Sequence, residues 1–171
     1  PVSADAVLAA HRGGPALPDR AVLLTFDDGY ASFYTRVYPI LKAYGWPAVF
    51  APVGKWISTP QGQKVRFGDV DVARDHFVTW DQVREMAASG LIEIASHSHD
   101  LHRGIRANPQ GNSEPAAAAL AFDEATGGYE SEAAYRARLH ADAKTISDEI
   151  ERATGTRPRI WIWPYGASCG T

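Results

Sequence analysis

The chain has 171 residues, enough for one domain with a substantial core, and its 45% hydrophobic and 22% charged residues are ordinary globular values. With a net charge of −3 and no dense Lys/Arg run, nothing argues for nucleic acid or an anionic membrane as partner, and no apolar run approaches the ~20 residues of a spanning helix. The single cysteine, Cys169, excludes an internal disulfide and a Cys-rich zinc site; with no partner histidine in a nucleophile pattern, it reads as a small buried apolar residue.

Taken in chain order, the start at Pro1 without Met and the abrupt end at CGT read as the limits of a trimmed piece, so export of a longer parent stays open. The apolar run AVLLTF (21–26) is the first predicted strand and runs into Asp27, Asp28 and Gly29. Phe33, Val37, Ile40, Leu41 and Tyr44 then recur at helical spacing, with Gly45 as the stop. PAVFAPV (47–53) is a second strand, and Thr79 with Gln82 forms a capping box that opens a helix through Ala88. LIEIAS (91–96) and RIWIWP (159–164) are the third and fourth strands. Between them, residues 103–130 form a long Gly-, Pro- and Ala-rich insertion, a functional or mobile loop, and Ser131–Thr154 is a long amphipathic helix stopped by Gly155. Strands alternating with helices predict parallel βαβ units, in an open doubly wound sheet or a barrel.

Functional groups in parallel α/β folds gather at the carboxyl ends of strands. Here those ends give Asp27-Asp28-Gly29, then SHSHDLH (96–102), then Trp163-Pro164-Tyr165-Gly166. A lone histidine is more often a surface or capping residue, as His76 and His140 read here; three within six residues facing a carboxylate pair are another matter. On a continuous strand His97 and His99 share a face, whereas His97 and His102 converge only if the chain turns between them, so spacing leaves both pairs open. Two imidazoles and one carboxylate are the ligand set of a hydrolytic metal centre. One Asp of the pair can bind the cation, and the other can act as general base toward a metal-activated water. Asp100 reads as a turn cap or as a support for a ligand histidine, and most of the five tryptophans as core.

TFDDGY, SHSHDLH and WPYG, in this order, resemble the polysaccharide deacetylases of carbohydrate esterase family 4, the NodB-homology group. LLTFDDGYASFYTRVYPILKAYGWPAVF, SHSHDLHRG and NPQGN are similar to the branch that deacetylates poly-β-1,6-N-acetyl-D-glucosamine in biofilm matrices. The resemblance spans roughly residues 16 to 166 and implies an α/β fold, a distorted (β/α) barrel, with residues 1–171 as one incomplete domain of it. It implies Asp27 as general base, one divalent metal ion (zinc, nickel, cobalt or iron) on Asp28, His97 and His102, and Pro164, Tyr165 and Trp163 around the acetyl group, the Tyr165 N–H holding the oxyanion. Trp163 stands where many members carry an arginine that orients the catalytic Asp. The family's general-acid histidine lies upstream of TFDD in this branch; His11, in AAHRGG, does not match it, so the acid is expected before Pro1. The implied substrate is an N-acetylglucosamine polysaccharide in the periplasm or cell envelope, with peptidoglycan or chitin oligomers and a non-catalytic glycan-binding module as alternatives, and a further domain is possible in the parent.

Overall fold

A computed structural model describes residues 1–167 of the chain. The expectation for Cys169 lies outside the described residues. The element order is α1 (Ala4–His11), β1 (Leu24–Asp28), a π-helical turn (Phe33–Val37) leading into α2 (Tyr38–Tyr44), β2 (Ala48–Pro52) and α3 (Gly54–Ser58). A hairpin of β3 (Lys64–Phe67) and β4 (Val70–Ala73) follows, then α4 (Trp80–Ala88) and β5 (Ile92–Ile94). Two further hairpins, β6 (Gly104–Arg106) with β7 (Ser113–Pro115) and β8 (Phe122–Asp123) with β9 (Gly128–Tyr129), precede α5 (Glu132–Thr154) and a 3-10 turn at Pro164–Gly166.

The three runs of β-branched and aromatic residues pair in parallel, in the order β1-β2-β5, with Asp28 opposite Pro52 at the carboxyl end. As the middle strand, β2 is buried along its whole length and apolar throughout, as a parallel strand covered on both faces must be. Its alternate residues divide between two cores. Ala48 and Phe50 join Phe33, Leu41, Val83, Met86, Ile146 and Ile150 under the helices. Val49 and Ala51 pack with Ala4 of α1 and Ala95 on the other face.

The predicted capping box and helix stops are present: Thr79 and Gln82 bond reciprocally, and Gly45 and Gly155 terminate α2 and α5 in the left-handed region. The Ser131 side chain also caps α5, accepting from the Ala134 N–H. The predicted helix from Phe33 is divided: the Tyr38 N–H reaches back five residues to the Phe33 carbonyl, and Pro39, with no N–H to give, opens α2.

Two expectations are corrected. RIWIWP makes only a single parallel bridge, Ser96 to Trp161, with the Ser96 N–H bonded to the Ile160 carbonyl and the Ile162 N–H to the Ser96 carbonyl, each at 2.9 Å. The ladder stops there because the chain leaves the sheet direction after Ser96, where Ser98 takes a left-handed turn. The 103–130 insertion is two short antiparallel hairpins, not an irregular loop. Arg138 of α5 anchors it, donating to the carbonyls of Ala116 and Ala119 and pairing with Glu130.

Candidate metal centre

The site is built where β1 and β5 end on either side of β2. At the end of β1, Asp28 adopts φ 72°, a conformation aspartate tolerates better than most residues, and Gly29 follows at φ 94°. Gly29 has little alternative, since a Cβ there would meet the Pro52 Cβ at 3.1 Å and the Ile57 Cγ2 at 3.3 Å. His97 comes next after the β5 segment and is 2% exposed. Its Nδ1 lies 2.9 Å from the Ile162 carbonyl, which fixes Nδ1 as the protonated nitrogen and turns Nε2 toward Asp28. The chain then turns through Ser98 (φ 73°), whose Oγ accepts the Leu101 N–H at 3.2 Å, and brings His102 back to the same carboxylate.

Asp28 Oδ1 is 3.5 Å from His97 Nε2 and 3.2 Å from His102 Nε2. Among the described residues these three form the one group of its kind, with potential ligand atoms all within 4.8 Å of one another. Three convergent ligand groups, one of them already oriented by a backbone carbonyl, fit a divalent cation, which would give the shared carboxylate a strong partner. Burial pushes the His97 pKa down, as does His102, against the pull of the Ile162 carbonyl, Asp27 and Asp28; the ring is therefore neutral near pH 7, the form that ligates.

The turn resolves which histidines meet. His99 points away from Asp28 and bonds Glu149 of α5 through Nδ1 at 2.9 Å, an interaction that raises its pKa. Asp27 stands beside the triad, exposed, and its charge acts on His97. The Asp100 side chain pairs at the surface with Lys55 at 2.8 Å and Arg103 at 3.8 Å, while the turn's amides are capped by Asp142 and Ser98. His76 and His140 are exposed, as expected.

The last motif closes over His102. The Tyr165 ring lies 4.4 Å from the His102 ring, centroid to centroid, held by a backbone φ of 60°. Burial and the Asp28 charge raise the Tyr165 hydroxyl's pKa. Pro164 is buried, and Trp163 packs half-buried against Leu101, Ala116 and Ala117, with Trp161 edge-on at 5.7 Å. Buried Trp56, 4.8 Å from His102, and Phe67 of the β3/β4 hairpin wall the other side.

Sequence reasoning missed the supports of the site, Gly54, Asp142 and Glu149. Asp142 falls on the stripe of α5 with Tyr135, Ile146, Ile150 and Ala153, where an apolar residue belongs, and is 8% exposed. An acidic residue on the apolar stripe was the available signal.

Parallel strands that deliver one carboxylate and two imidazoles to a common end, with a second carboxylate beside them, define an α/β protein with a candidate metal site. The chain belongs to the polysaccharide deacetylase family, whose model matches residues 14–170. It is 48% identical over 170 residues to the poly-β-1,6-N-acetyl-D-glucosamine N-deacetylase of Escherichia coli K12, covering 99% of this chain and 25% of that one. The fold matches the BpsB deacetylase domain of Bordetella bronchiseptica (TM-score 0.93, 50% identity, 98% of this chain and 64% of that one). It also matches a de-N-acetylase from Aggregatibacter actinomycetemcomitans (TM-score 0.91, 48% identity, 99% of this chain and 64% of that one). The chain thus spans a quarter of the length of the curated relative and under two thirds of the solved domains.

Proposed function

We propose that this chain carries the metal site and the catalytic base of an N-deacetylase acting on N-acetylglucosamine units of poly-β-1,6-N-acetyl-D-glucosamine. The observation that carries the reading is the Asp28, His97 and His102 triad, with ligand atoms within 4.8 Å, at the strand ends of a chain so similar to enzymes named for that reaction. A divalent cation on those three residues supplies a Lewis acid for the amide carbonyl and a lowered pKa for a water. Two imidazoles and a carboxylate suit zinc, nickel, cobalt or iron.

The chain's own residues do the rest. Asp27, exposed beside the triad, takes the proton from the attacking water. The Tyr165 N–H faces the oxygen on which charge develops, a contact worth about 3 kcal/mol in such sites. Pro164 and Trp163 shape the wall behind it. As the C–N bond breaks, the amine leaves with the proton that the attacking water gave up, and acetate is released. An extracellular polysaccharide as substrate favours the periplasm or cell envelope as the compartment.

The test is acetate release from poly-β-1,6-N-acetyl-D-glucosamine, chitin oligomers and peptidoglycan by the full-length protein. Release from the first, at a rate lowered about 10²–10⁴-fold by Asp27→Asn with metal content intact, supports the reading. Preferential release from chitin or peptidoglycan reassigns the substrate, and glycan binding without acetate release makes the protein a binding module.

A further inference from the structure

The turn between the two ligand histidines is clamped from both sides by groups outside it. Its carbonyls are taken by the start of α3: the Gly54 N–H bonds the Ser98 carbonyl at 3.0 Å and the Lys55 N–H bonds the His99 carbonyl at 2.9 Å. Two of its amides are taken by one side chain. Asp142 Oδ1 accepts the His99 N–H at 2.8 Å, and Oδ2 accepts the Asp100 N–H at 2.6 Å. The left-handed Ser98 is what sets these two successive N–H groups to converge on a single carboxylate.

We infer that Asp142 is a positioning residue of the metal centre, fixing the Ser98–Leu101 turn so that His97 and His102 present Nε2 to the same cation. The inference rests on the metal-site reading above. A carboxylate suits this position because each of its two oxygens accepts one amide; an asparagine would put an NH2 donor against one of those N–H groups, and an alanine offers no acceptor. Without that anchor the turn keeps its α3 bonds and the local bonds of the Ser96 and Ser98 hydroxyls to the Ser98 and Leu101 N–H groups, and the approach of His102, five residues beyond His97, is less constrained. Asp142 touches neither imidazole, so its loss removes no ligand and changes only their mutual geometry.

The test is titration with Co²⁺, whose visible spectrum reports ligand geometry, of the full-length protein and of Asp142→Asn, Asp142→Ala and Ile150→Val. Ile150 lies two turns along α5 in the main core and controls for lost stability. Affinity is expected to fall about tenfold in Asp142→Asn and towards a hundredfold in Asp142→Ala, with an altered spectrum at saturation, while Ile150→Val binds as the parent does at temperatures where all remain folded. Unchanged affinity and spectrum in both Asp142 variants overturns the inference and leaves the metal site standing. An equal loss in Ile150→Val also overturns it, by assigning the effect to general destabilisation. A parent protein that binds no Co²⁺ overturns this inference together with the reading beneath it.

Discussion

His97 and His99 stand two residues apart and respond to protons in opposite senses. Burial holds the His97 pKa below its ordinary value of 6.5, so in the metal-free protein its share of stability is present above that value and is lost as pH falls. The bond to Glu149 holds the His99 pKa above 6.5; the stability from that ion pair is complete below 6.5 and is lost as pH rises through the raised value. Glu149→Gln should therefore destabilise the metal-free protein more at pH 6 than at pH 9, in thermal melts with a chelator present. An equal loss at both pH values means that the pair contributes no charge-dependent stability. The histidine cluster itself was legible in the sequence, and so was its meeting with the Asp pair. Which histidine turns away came from the family resemblance and not from spacing, because it depends on Glu149, 50 residues on, and on the left-handed Ser98. Arg74 was equally hidden: 3% exposed, its guanidinium bonds the carbonyls of Ile57, Thr59, Phe77 and Val78 and ties the segment after α3 to the start of α4.

At the scale of elements, what could be read was what repeats or caps. The three sheet strands, the capping box at Thr79 and the stops at Gly45 and Gly155 follow from local chemistry that tertiary contacts did not override. The hairpins did not announce themselves. Strands of two to four residues such as β7 (SEP) and β9 (GY) are too short for alternation to register, and their pairing is held by distant groups such as Arg138. The start of α3 shows how tightly such non-local packing is drawn. A Cβ on Gly54 would come 2.5 Å from the Glu149 Oε2, 2.7 Å from the Ile146 Cδ1 and 2.9 Å from the His99 Nδ1. The Glu149 carboxylate is not free to retreat, because it also accepts from the Ser58 hydroxyl. Gly54→Ala should thus cost about 1–3 kcal/mol in chemical denaturation, through displacement of the His99–Glu149 pair. If the cost is real but the pH dependence assigned to that pair survives, α3 has shifted and the pair has stayed.

For the whole molecule, the decisive feature is that β1 and β5 do not pair with each other. They flank β2, and the groups they deliver meet only above its carboxyl end, where the His97 N–H contacts the Pro52 carbonyl and the Val53 N–H the Asp28 carbonyl, at 3.4 and 3.3 Å. Asp28 and His97 are far apart in sequence, so a cation shared by them links segments that the unfolded chain keeps apart. A ligand that binds the folded chain alone stabilises it by about 2.7 kcal/mol at a hundred times its Kd, which for a domain of this size is roughly 5–11 °C in Tm. Added Zn²⁺ or Co²⁺ should therefore raise the Tm in proportion to the logarithm of its concentration, with a chelator reversing the gain. Asp28→Asn removes the group that both imidazoles face, and should melt at the same temperature with and without metal. His99→Ala lacks only the Glu149 pair; it should start lower and keep the full metal-dependent rise. Loss of that rise in His99→Ala, or its persistence in Asp28→Asn, would mean that the cation is held by residues other than Asp28, His97 and His102.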